Sequence, residues 1–174
     1  MFVPPLYLEA SKKSFEGHYK QDFLAAVESK HGGVLLYGSA GTRKTTFGTK
    51  IMAKKMMDHI GEFAVDGLWT TAPELLANIR STYSAKSKTT EMEIMQKYSD
   101  VGLLLIDDLG AEKKTDWSLS AFYSILSNRI NYMKFTIVTT NLTLEELHAW
   151  EPRIASRLGS FQVIGMTGKD WRLH

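Results

Sequence analysis

The segment Gly38-Ser39-Ala40-Gly41-Thr42-Arg43-Lys44-Thr45 follows the apolar run Val34-Leu35-Leu36-Tyr37 and precedes a stretch with helical periodicity. A buried strand, a loop of small residues and then a helix constrain the fold more than any other feature of the chain. Small residues let successive backbone N–H groups converge on an anion, and the helix behind them presents the positive end of its dipole. A lysine at the end of the loop can then reach the β- and γ-phosphates, and the next hydroxyl can ligate Mg²⁺. Lys44 and Thr45 occupy those two places. The candidate phosphate site is therefore Gly38, Ser39, Ala40, Gly41, Thr42, Arg43, Lys44 and Thr45, with Thr46 beside them. Taken alone, the same residues also describe a glycine-containing turn between a strand and a helix.

Arg43 departs from the usual pattern, which has glycine just before the lysine. Glycine is favoured there because the backbone can need φ > 0 and a close approach to phosphate. Arginine takes such a conformation only at some cost, and its side chain must either point away from the phosphates or contact them. The departure predicts retained nucleotide binding with weakened hydrolysis.

The rest of the chain fits an α/β domain. Its 174 residues are the length of one domain, and no internal linker or repeat divides them. Apolar runs at 34–37, 67–71, 101–106, 135–140 and 161–166 predict five strands. Amphipathic stretches from Thr45 to about His59, after the cap Thr71, from Trp117 to Tyr132, from Leu144 to Trp150 and from Ile154 to Leu158 predict the helices between them. Ser84 to Thr90 is polar and aperiodic, and is expected to be the most mobile segment. Charge is nearly balanced, 21 Lys+Arg against 19 Asp+Glu, so a strongly basic nucleic-acid clamp is not indicated. There is no cysteine, which excludes disulfides, thiolate metal sites and cysteine nucleophiles. No signal-peptide core and no membrane-length apolar stretch is present, and a soluble, cytoplasmic protein is expected.

Three further groups of residues bear on chemistry. Leu103-Leu104-Leu105-Ile106-Asp107-Asp108 sets two acids at the carboxyl end of an apolar strand, the edge at which open α/β sheets bind ligands. Asp107 there would hold Mg²⁺ and Asp108 would polarise an attacking water, although an acidic strand end needs no such role. Asn141 closes the strand Thr136-Ile137-Val138-Thr139-Thr140 and could orient that water, or could simply cap a turn. Arg153 and Arg157, four residues apart, share one helical face. They could stabilise charge on a phosphate held by a neighbouring subunit, or form a solvated basic face.

Together, the loop GSAGTRKT, the run LLLIDDLGAEKKTDW, the strand TIVTTNL, the segment RIASRL and the ending GMTGKDWR resemble the AAA+ ATPases of the bacterial helicase-loader branch, the DnaC/DnaI type, with the related IstB transposition helpers close by. The resemblance extends from about Pro4 to Arg172. It implies an AAA+ P-loop NTPase fold, a parallel five-stranded sheet flanked by helices without a full C-terminal lid. It also implies ATP and Mg²⁺ as cofactors. Lys44 and Thr45 would be the Walker A lysine and hydroxyl, Asp107 and Asp108 the Walker B pair, and Asn141 sensor 1. Arg157 would be the arginine finger acting in trans, Arg153 its upstream companion, and Arg172 a sensor-2-like contact. Phe15-Glu16-Gly17 matches the stretch that packs near adenine. Only 37 residues precede Gly38, so the helicase-binding N-terminal domain of such loaders is expected to be missing from residues 1–174.

The resemblance further implies the replicative helicase and single-stranded DNA as partners, self-association through the ATP site, and no membrane. Arg80, Lys86, Lys88, Lys113 and Lys114 are candidate DNA contacts, with Tyr83 and Trp117 as candidate stacking groups. An ATP-driven helicase loader leads. A transposition helper acting on duplex DNA and a nucleotide-gated adaptor with little turnover are the alternatives.

Overall fold

The computed structural model describes residues 19–29, 32–58 and 66–168, with Pro5 and Glu9 as isolated positions. The elements in chain order are α1 (Lys20–Glu28), β1 (Gly33–Tyr37), α2 (Lys44–Asp58), β2 (Gly67–Thr71), α3 (Ala72–Ser81), α4 (Glu91–Asp100), β3 (Leu103–Leu109), α5 (Asp116–Asn131), β4 (Phe135–Thr140), α6 (Leu144–Trp150), α7 (Pro152–Leu158) and β5 (Gln162–Gly165). The five strands form one sheet in the order β2-β3-β4-β1-β5, and every pairing is parallel.

Both faces of this sheet are covered, which is why its strands read as continuous apolar runs. The period of two is hidden in which face each residue serves. Val34, Leu36, Leu103, Leu105, Phe135 and Ile137 pack with Phe47, Ile51 and Met52 of α2 and Ala26 of α1. Leu35, Leu104, Ile106 and Val138 face the other way, into a larger core with α3, α4, α5, α6 and α7. Within α2, a Cβ at Gly48 would stand 3.1 Å from Ile137 and 3.3 Å from Leu105, so glycine lets the helix that follows the loop seat closely on the sheet.

Helix entries are set by threonine. Thr71, Thr90, Thr115 and Thr143 each accept the amide three residues on, and the side chains of Glu74, Glu93, Ser118 and Glu146 reach back to complete four capping boxes. Thr71 thus ends β2 and starts α3, as its sequence context predicts. Two helices were not anticipated, α1 and α4. The expected strand over 101–106 is displaced: β3 runs from Leu103 to Leu109, and both acids lie inside it rather than after it. The outer segments expected to be strand at 161 and 166 lie outside β5. The polar segment before Thr90 is exposed and folded into turns, with Ser87 Oγ donating to Thr89 O at 2.8 Å.

Among the described residues the largest fully buried side chain is that of Arg129 on α5. Its guanidinium donates through Nε to Thr136 Oγ1, through Nη1 to the carbonyls of Tyr98, Ser99 and Val101, and through Nη2 to Phe135 O, at 2.7–3.2 Å. The first three carbonyls belong to the end of α4, where helices leave acceptors without partners. Arg129 therefore ties α4 to the start of β4. Burial lowers its pKa to about 10, and that leaves it charged at neutral pH.

Candidate functional site

β1 has β4 on one side and β5 on the other, while the chain leaves it for the far edge of the sheet. At such a reversal of strand order the loops at the carboxyl ends diverge and open a crevice. The loop Gly38–Arg43 starts there. Gly38 has φ = +143°, and a Cβ on it would lie 2.1 Å from Met166 O, so no side chain fits. Gly41 has φ = +78°. Thr42 Oγ1 donates to Ser39 O at 2.9 Å and closes the loop on itself. Arg43 has φ = +66° and is exposed. This is the left-handed conformation anticipated for a position that usually carries glycine.

Lys44 is buried, and its Nζ donates to Gly38 O and Ser39 O, both at 2.8 Å. The ammonium is thus held on the loop rather than released to solvent. Thr46 lies in the first turn of α2. The Thr45 hydroxyl donates to Asp107 Oδ2 at 3.1 Å, across 62 residues of sequence. Asp107 is 2% exposed. Its other oxygen, Oδ1, accepts Thr139 Oγ1 at 2.6 Å. Burial pushes the Asp107 carboxyl up to about 6; the Thr139 hydroxyl opposes the shift, the charge of Asp108 adds to it, and Thr45 and Lys44 oppose it weakly. A hydroxyl and a carboxylate in contact form the hard oxygen pair that suits Mg²⁺, and the loop-held ammonium of Lys44, the residue before Thr45, suits phosphate. The residues present fit both groups.

Asp108 points its backbone elsewhere. Its φ is +56°, and the β3–β4 register shifts between Ile106 and Leu109. The carboxylate is half-buried, and Asn141 Nδ2 lies 3.5 Å from its Oδ1. Asn141 is exposed at the end of β4. Thr45 thus meets Asp107, and Asn141 approaches Asp108, the next residue of β3.

The arginines are elsewhere. Arg153 Nε donates to Glu151 Oε1 at 2.8 Å, and the guanidiniums of Arg153 and Arg157 lie 5.2 and 5.6 Å from the centre of the Tyr123 ring. Arg157 also approaches Tyr123 Oη at 3.5 Å, which lowers the tyrosine pKa. Both contact Tyr123 of α5, and Arg153 alone of the two pairs with Glu151. Arg172 and Phe15-Glu16-Gly17 lie outside the described residues.

Of the candidate DNA contacts, three form a cluster. The Arg80 guanidinium stands 4.7 Å from the Trp117 ring centre, Tyr83 packs edge-on to Trp117 at 6.4 Å, and Glu91 accepts from Tyr83 Oη at 2.8 Å and Trp117 Nε1 at 3.4 Å. Tyr83 is 60% exposed. Lys86, Lys88 and Lys113 are exposed, whereas Lys114 donates to Trp150 O at the end of α6. Among the described residues no helix is long and apolar enough to cross a membrane. Sequence reasoning did not single out Thr139, which touches Asp107 and Asp108; a threonine in an apolar strand carries no distinguishing signal.

A parallel sheet in this order, a strand–loop–helix phosphate cradle and paired acids on β3 define an AAA+ P-loop NTPase fold. No protein-family model matches the chain. Its sequence is similar to that of the replicative helicase loader DnaC of Buchnera aphidicola subsp. Baizongia pistaciae, with 24% identity over 150 residues, covering 80% of this chain and 58% of that protein. The chain thus spans a little over half the length of that relative. Its fold matches the crystal structure of a DnaC helicase loader with TM-score 0.77 at 16% identity, covering 94% of this chain and all of that one. It also matches AMPPCP-bound DnaA from Aquifex aeolicus with TM-score 0.77 at 19% identity, over 95% of this chain and 51% of that one. In sequence and fold together, the chain is consistent with a DnaC-type AAA+ domain.

Proposed function

We propose that the chain binds ATP at the Gly38–Thr45 loop and serves as the ATPase module of a replicative helicase loader. The observation that carries this reading is the contact of Thr45 Oγ1 with Asp107 Oδ2 at 3.1 Å beside the loop-held ammonium of Lys44. Lys44 neutralises the outer phosphates, and Thr45 with Asp107 would hold Mg²⁺. Bound there, the metal supplies charge neutralisation on the phosphates. Asp108 polarises the attacking water, and Asn141 orients it. Arg157 of a neighbouring copy, with Arg153 beside it, reaches the developing charge in trans. Arg172 contacts the nucleotide from the C-terminal segment. The likeness to DnaC supports the replicative helicase as the partner.

The Arg80–Trp117–Tyr83 cluster favours single-stranded DNA as the second partner, because an exposed tyrosine beside a tryptophan and a cation offers a stacking platform. Titration with ATP, with and without Mg²⁺, tests the nucleotide site. Wild type should bind and Lys44→Ala should lose affinity; unchanged affinity in the variant contradicts the assignment.

A second reading, the nucleotide-gated adaptor with weak turnover, is favoured by the left-handed backbone of Arg43. The ATPase rates of wild type and Arg43→Gly separate the two. A marked rise in the variant supports the adaptor, and equal, family-like rates support the loader.

A further inference from the structure

We propose that Thr139 is the positioning residue for both acids of the site at once, an inference that rests on the reading of Asp107 and Asp108 as metal-side and water-side carboxylates. Pairing of β3 with β4 runs from Leu103↔Phe135 to Ile106↔Val138 and resumes at Leu109↔Thr140. Between those points β3 holds two residues, Asp107 and Asp108, and β4 holds one, Thr139. This is the two-against-one arrangement of a β-bulge, which redirects side chains at the cost of regular ladder bonds.

Thr139 compensates for the lost ladder. Its hydroxyl accepts the Asp108 amide at 2.9 Å and donates its one proton to Asp107 Oδ1 at 2.6 Å. Both capacities of a single buried oxygen are thereby used on the bulge. The acceptor bond holds Asp108 at φ = +56°, and the donor bond fixes the carboxylate of Asp107 with Oδ2 towards Thr45. The next residue secures the exit of the bulge differently: Thr140 Oγ1 donates to Leu109 O at 2.7 Å and touches neither acid. Among the described residues, Thr139 is the side chain that bonds both the acid facing the helix start and the acid facing Asn141.

Valine at 139 keeps the shape and β-branching of threonine and removes both bonds, while serine keeps the hydroxyl. The test measures ATP affinity in EDTA, the Mg²⁺ concentration that half-saturates ATP binding, and kcat and KM at saturating Mg²⁺, for wild type, Thr139→Val and Thr139→Ser. Thr139→Val should bind ATP in EDTA as wild type does, need roughly tenfold more Mg²⁺, and lose about tenfold or more in kcat with little change in KM. Thr139→Ser should recover most of both. The proposal is overturned if Thr139→Val retains wild-type Mg²⁺ dependence and kcat. It is also overturned if serine fails as valine does, which would assign the effect to the methyl group and its packing. A wild type whose ATP binding ignores Mg²⁺ overturns instead the reading of the acids on which the proposal stands.

Discussion

Asp107 carries its carboxyl in surroundings that disfavour charge. Its pKa rises from the ordinary 3.8 to about 6, so the folded chain holds a proton that the unfolded chain has already released. Whatever stability this group contributes is present below pH 3.8 and is lost as pH rises through 6. Without nucleotide or metal, Asp107→Asn should therefore stabilise the protein at about pH 8 by up to about 3 kcal/mol, and by almost nothing near pH 4. Urea denaturation at the two pH values measures this; an equal gain at both contradicts the account. The site thus carries a charge that the fold alone does not favour, as expected where a cation is to be held.

Elements show why much of the fold was legible and some of it was not. Strands covered on both faces are built mainly of apolar and β-branched residues, so β1, β2 and β4 stand out close to their true positions. In sequence two acids look like a strand end, whereas Asp107 and Asp108 lie within β3 at a bulge bridged by Thr139. α4 was overlooked because Glu91–Asp100 buries only Tyr98 and Ser99. The available signal was local: Thr90 followed at the third position by Glu93, a capping box immediately before the helix. Thr90→Ala should cost about 1 kcal/mol by thermal denaturation.

The Arg129 anchor was invisible for a different reason, since an arginine in a helical stripe reads as surface. Arg129→Met should cost about 3 kcal/mol or more, because five buried acceptors lose their donor. A change under about 1 kcal/mol in urea denaturation would contradict that role. The strand–loop–helix geometry of Gly38–Thr45, by contrast, is legible in the sequence, because glycines at 38 and 41 and a lysine at the helix start admit few local folds.

At the scale of the whole molecule, Arg153 and Arg157 lie on α7 and pack against Tyr123 of α5. Arg157→Ala should bind ATP and hydrolyse it slowly. Mixing it with Asp108→Asn should restore part of the turnover, since an intact acid from one copy can meet an intact arginine from another. Absence of rescue in a steady-state ATPase assay contradicts a shared site.

The margin of the sheet has a bearing on how such variants are interpreted. Among the described residues β5 pairs with β1 alone, and just beyond it the Met166 amide donates to Tyr37 O at 2.7 Å, next to Gly38. The start of the loop at Gly38 is consequently packed against the residue whose amide fastens the outer strand. Adding a single methyl group at position 38 should abolish ATP affinity and, in the same stroke, expose the amides of β5 to hydrogen exchange. Lys44→Ala should silence the cradle and leave the clasp shut.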